Sequence, residues 1–223
     1  MTDEHAVDTP ADGPADALAA AFGSERVKAF IDAVVAIAMT LLILPLMESV
    51  SEADPAAGTL GWVEEHQAQL ISFAISFAVI ANFWVSHHRL FARVERVSNG
   101  LLWVSIGWLA TIVWMPVATA LTAVMPSSEP LVKIVYIGTM ILTSLMALAQ
   151  RLVLYRNPAL HTIDEAGLRR GTAAEIATTV LFAVALVVSV VLPQVNYFAL
   201  LVLFLTRPVA TLVARLLRGR RAA

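Results

Sequence analysis

The chain has 223 residues, 59% of them hydrophobic and 14% charged, with a formal net charge of −2 and a mean hydropathy of +0.77. Soluble domains carry roughly 45–50% apolar and about 25% charged residues, so an ordinary soluble core is excluded, and the near-neutral balance excludes the concentrated basic face that a nucleic-acid partner requires. With no cysteine, disulfides, thiolate metal sites and cysteine nucleophiles are excluded as well.

From the N-terminus, residues 1–24 are rich in Ala, Asp and Pro and have neither a positive n-region nor a long apolar stretch. They read as a flexible cytoplasmic tail rather than a signal peptide. Residues 25–217 then read as one membrane domain, followed by a basic cytoplasmic C-terminus at 218–223. A helix needs about 20 mostly apolar residues to cross about 30 Å of hydrocarbon. Six segments qualify, at 29–47, 68–85, 101–124, 131–149, 173–192 and 197–214. Transmembrane β-strands would instead alternate over about ten residues, and stretches such as LFAVALVVSVVL do not alternate. The predicted fold is all-α and integral to the membrane, with six transmembrane helices.

Loop charges set the orientation. The connection after the first segment holds several acids and no Lys or Arg; the next holds Arg89, Arg93 and Arg96. The third is nearly neutral, the fourth holds Arg151, Arg156, Arg169 and Arg170, and the fifth is uncharged. Alternating basic loops place both termini in the cytoplasm under the positive-inside rule, as six crossings also require.

Catalytic motifs are missing: there is no GxSxG, HExxH or Walker-type loop. The adjacent His87 and His88 diverge by about 100° on a helix and cannot chelate one metal from one face. No enzyme activity, metal or cofactor is expected.

The first segment carries the most information. Asp32 lies a few positions inside the apolar run, where it either marks the helix start at the interface or belongs to a polar network with a partner. Ala29, Ala33, Ala36 and Thr40 fall on one narrow face of small residues, which permits close helix approach in lipid. Beside it lie Ile37, Leu41 and Leu44. That aliphatic stripe suits lipid or core, and equally a hydrophobic constriction around a symmetry axis; periodicity does not choose. In the third segment, Trp103, Trp108, Trp114 and Pro116 suit packing, an interface belt and a kink. In the sixth, Arg207 either snorkels to the headgroups or pairs with an acid.

The sequence Arg26-x-x-x-Phe30-Ile31-Asp32, followed by AVVAIAMTLLIL, resembles the first-helix signature of the transmembrane protein 175 family. That family comprises endolysosomal potassium channels and their smaller bacterial relatives. Trp84-Val-Ser-His87-His-Arg89-Leu90-Phe91 resembles the family's second-helix motif Trp-x-x-His-x-Arg-Leu-Phe. The two motifs cover about 30 residues, and their joint order and spacing make the match specific. One position departs: Ile31 stands where the family pattern has Ser, so a hydroxyl is absent.

The resemblance implies a homotetramer in which the first helix of each subunit lines a central pore. Matched by position, the constriction residues fall on Ile37, Leu41 and Leu44, and the cation-selecting threonine on Thr40. Arg26, Phe30, Asp32, Trp84 and His87 become the network that holds the pore helix, with Asp32 the natural common acceptor for Arg26, Trp84 Nε1 or His87. Trp84 and Arg89 are also common interface anchors. The implied function is passive, potassium-preferring cation conduction in the bacterial plasma membrane, with permeant K+ and lipid as partners. A secondary transporter or a non-conducting scaffold is the competing reading, although transporters usually show paired Gly- or Pro-broken helices around a midplane polar site.

Overall fold

A computed structural model describes residues 23–126, 129–192, 209–211 and 213. Most of the predicted tail 1–24, the loop positions 127–128, Arg207, most of the sixth segment 197–214 and the C-terminus 218–223 lie outside the described residues. The helices are α1 (Ser24–Leu41), α2 (Leu44–Ser51), α3 (Gly58–Glu65), α4 (Gln67–Phe91), α5 (Asn99–Val124), α6 (Pro130–Arg156) and α7 (Glu165–Val191). Five spans among the described residues are long and apolar enough to cross a membrane, with α1 and α2 together forming the first, Ser24–Ser51.

The helices outrun the apolar segments that predicted them. The second segment, 68–85, becomes Gln67–Phe91, and the fourth, 131–149, becomes Pro130–Arg156. Their backbone bonds continue through polar sequence such as SHHRL and QRLVLYR, because a helix need not end where hydrocarbon does. Arg151, expected in a loop, therefore lies inside α6.

Proline acts differently at its two interior sites. Pro45 has no N–H to give the Leu41 carbonyl, and its ring crowds that carbonyl. The ladder breaks there: Ile43 N–H turns back to the Thr40 carbonyl at 3.3 Å, and α2 begins at Leu44. Pro116 leaves α5 unbroken from Asn99 to Val124.

At the acidic end, Asp54 caps a short 3₁₀ turn by accepting from Ala56 N–H at 2.9 Å. Gly58 then takes φ +67°, a conformation that favours glycine. Trp62 Nε1 ties α3 to α2 by donating to the Ser49 carbonyl at 3.2 Å. At the arginine-rich end, the α4–α5 and α6–α7 connections pair through an antiparallel bridge between Val94 and His161, with Thr162 N–H donating to the Arg93 carbonyl at 3.0 Å.

In the bundle α5 packs on α6 and α6 on α7, while α1 lies against α4 and α5. Lipid gives apolar helix faces little reason to associate, so small polar residues do part of the joining. Ser72 bonds Thr122 at 2.6 Å, Ser76 bonds Tyr136 and Thr119 at 2.8 Å, and Ser144 bonds Thr179 at 2.7 Å. Lys133, fully buried in α6, donates to the Ser189 carbonyl at 2.8 Å. That carbonyl is one of the last four of α7, where a helix leaves its acceptors open and a cation is favoured.

Candidate functional site

Helix α1 has two unlike sides. Val27, Ile31, Val35, Ala38 and Leu42 recur at helical spacing and are buried against α4 and α5. The other side is uncovered. Ile37 is 58% exposed, Leu41 38% and Leu44 51%, with Phe30 and Thr40 exposed beside them. The aliphatic stripe and the small-residue face seen in the sequence therefore share the side of α1 that the described protomer leaves bare. Thr40 Oγ1 donates to the Ile37 carbonyl at 2.7 Å. Its proton is committed to its own helix, so the oxygen lone pairs remain for another partner.

Asp32 lies half-buried beside α4. Trp84 Nε1 donates to its Oδ1 at 2.8 Å, and His88 Nδ1 stands 3.6 Å from its Oδ2. Trp84 also packs against His88, with ring centroids 5.5 Å apart. A carboxylate suits these neighbours because it only accepts, whereas an indole only donates.

The structure brings Asp32 and Trp84 together but leaves the other network candidates elsewhere. Arg26 and Phe30 are exposed, and neither bonds the carboxylate. His87 makes no bond to Asp32, although both line one small cavity. It is 4% exposed and stacked between Phe91 and Trp108, at centroid distances of 4.1 and 4.4 Å. Its Nε2 is buried with no hydrogen-bond partner among the described residues. Neighbouring helix positions diverge by about 100°; Trp84 and His88, one turn apart, turn to α1, and that sends His87 into the bundle. Ile31 fills the core on the buried side of α1 at 1% exposure, so the family's serine position is here an apolar packing position.

A second polar cluster lies behind α4. Glu175 of α7 is 6% exposed; its Oε1 accepts from Ser86 Oγ at 2.8 Å and from Arg151 Nη2 at 3.4 Å. The sequence reading missed it, although the signal was available: an acid near the start of the apolar segment 173–192, the same oddity that drew attention to Asp32. Among the described residues, no group of three or more His, Asp or Glu side chains converges as a metal site.

This is the anatomy of a multi-pass helical membrane protein that presents one face of its first helix outward. The family model described as endosomal/lysosomal potassium channel TMEM175 matches residues 26–116, the stretch that contains both motifs. A potassium channel of Streptomyces collinus is 37% identical over 100 residues, covering 45% of this chain and 48% of that protein. A potassium channel of Chamaesiphon minutus is 33% identical over 98 residues, covering 44% and 48%. The human endosomal/lysosomal proton channel TMEM175 is 29% identical over 131 residues, covering 56% and 26%. The chain thus spans about half the length of the bacterial relatives it matches. The crystal structure of a lysosomal potassium-selective channel TMEM175 homolog from Chamaesiphon minutus superposes with a TM-score of 0.60 at 23% identity, covering 90% of this chain and 98% of that one. The two share a fold.

Proposed function

We propose that the chain is one subunit of a potassium-preferring cation channel in a bacterial plasma membrane, with both termini cytoplasmic. Four copies bring α1 around a common axis and ions pass between them without coupling to another solute. The observation that carries this reading is the outward stripe Ile37, Leu41 and Leu44 on a helix whose opposite face is buried. Fourfold repetition turns each of these residues into an aliphatic ring, which resists wetting and makes an ion shed water to pass. Thr40 offers oxygen lone pairs at the same face, where they compensate a partly dehydrated cation. Trp84 and Asp32 hold α1 at its station against α4. The names of the bacterial relatives support potassium as the permeant ion.

The test is an electrical one. Purified protein in liposomes under a potassium gradient should carry an uncoupled current, and its mass in mild detergent should be that of four chains. A stable, functional monomer would remove the central pore, and a flux that needs a second solute would return the reading to a transporter.

A further inference from the structure

Two residues of α4 make polar bonds in opposite directions. Trp84 reaches Asp32 on α1 and Ser86 reaches Glu175 on α7, each at 2.8 Å. Positions two apart on a helix leave it about 200° from each other, so α4 is gripped from both sides at one level. Behind Glu175 stands Arg151 of α6, its side chain 11% exposed. Gly171 makes room for that guanidinium, because a Cβ there would run into Arg151 Nη1.

This cluster is unlike the hydroxyl contacts that join Ser, Thr and Tyr side chains of neighbouring helices. It is a buried ion pair between two helices, and removing one partner of such a pair leaves an uncompensated buried charge. The pair is also incompletely satisfied. Its contact is a single one of 3.4 Å rather than a bidentate fork, and Arg151 Nε is buried with no hydrogen-bond partner among the described residues.

We propose that Glu175, backed by Arg151 and reached by Ser86, is a positioning residue that sets the rotation of α4 and, through Trp84, the station of Asp32 and α1. In this way the outer helices α6 and α7 bias whether the pore conducts; the inference rests on the channel reading given above.

The experiment uses the full chain in nanodiscs and liposomes, with the Trp84 indole N–H resonance assigned by its loss in Trp84→Phe. Glu175→Gln keeps an acceptor for Ser86 but releases Arg151. Ser86→Ala cuts only the α4 link, and Gly171→Ala displaces only the flexible guanidinium, so the test survives if Glu175→Gln fails to fold. In each variant that keeps the wild-type assembly size, the Trp84 indole resonance should shift and potassium flux should fall at least threefold, with the reversal potential unchanged. Arg169→Gln, in an exposed pair on the same helix, should change neither. An unmoved indole with wild-type flux in Ser86→Ala and Gly171→Ala overturns the proposal. A shifted indole with wild-type flux also overturns it, since the link would then be only structural. A wild-type protein without electrical flux fails differently: it is the channel reading that falls, before any variant is compared.

Discussion

Thr40→Val separates selectivity from stability. Valine keeps the β-branched shape and a similar helix propensity, and only the hydroxyl is lost. That hydroxyl is exposed and bonds no other helix; its one contact is the Ile37 carbonyl within α1. Stability should therefore move by no more than about 0.5 kcal/mol, as for an ordinary surface substitution. The effect on ions is larger because four oxygens face one axis in the proposed tetramer. If each supplies about 0.35 kcal/mol more to potassium than to sodium, the ring supplies about 1.4 kcal/mol, a tenfold permeability ratio. For a monovalent ion, a tenfold ratio corresponds to about 59 mV. Bi-ionic recordings should show the reversal potential falling toward zero by that order, with total current little changed. A Thr40→Val protein with the wild-type reversal potential and unaltered assembly would refute a role for this oxygen in ion choice, and would leave the outward face of α1 to lipid or to neighbouring helices.

In the proposed tetramer, Ile37→Asn should raise basal conductance, because a polar ring holds water where an aliphatic one repels it, and it should cost little stability at so exposed a position; single-channel amplitude is the readout. His87→Ala removes a ring stacked between two aromatics and should destabilise by about 2–4 kcal/mol, while His88→Ala breaks an exposed contact worth about 0–1 kcal/mol. Thermal unfolding in detergent compares them, and equal losses would contradict the placement of the two histidines. Ile31→Ser restores the family's residue but empties a filled core position, and should lower stability by about 1–3 kcal/mol through lost packing contacts. An unchanged melting temperature would show that the α1 core tolerates the vacancy.

Much of this was legible in the sequence, for a physical reason. A membrane span must be long, apolar and satisfied in its backbone, so run length reveals it directly. The two faces of α1 were also visible, since a period of 3.6 places Ile37, Leu41 and Leu44 on one side whatever surrounds them. Choosing between His87 and His88 was not possible from spacing, because that depends on which neighbour α4 meets on each side. The Glu175–Arg151 pair was hidden for a related reason. Arg151 was counted as loop charge, and only the continuation of α6 past its apolar segment carries it into the bundle. Pro45 was in plain view, but an apolar run long enough to span does not by itself say where its backbone ladder breaks.

That interruption divides the stripe on α1 between two bodies. A helix resists bending through its ladder of backbone bonds, and at Leu42–Ile43 one rung is missing. Ile37 and Leu41 travel with the longer lever, which Trp84 clamps through Asp32; Leu44 travels with the shorter one, which Trp62 moors by the Ser49 carbonyl. Torque applied to the α2–α3 elbow is therefore delivered to Leu44 first and reaches Ile37 only after the joint has flexed. In the proposed tetramer the narrowing would then not dilate as one sleeve but as two collars on a shared spindle, one moored through Asp32 and the other through the Ser49 carbonyl.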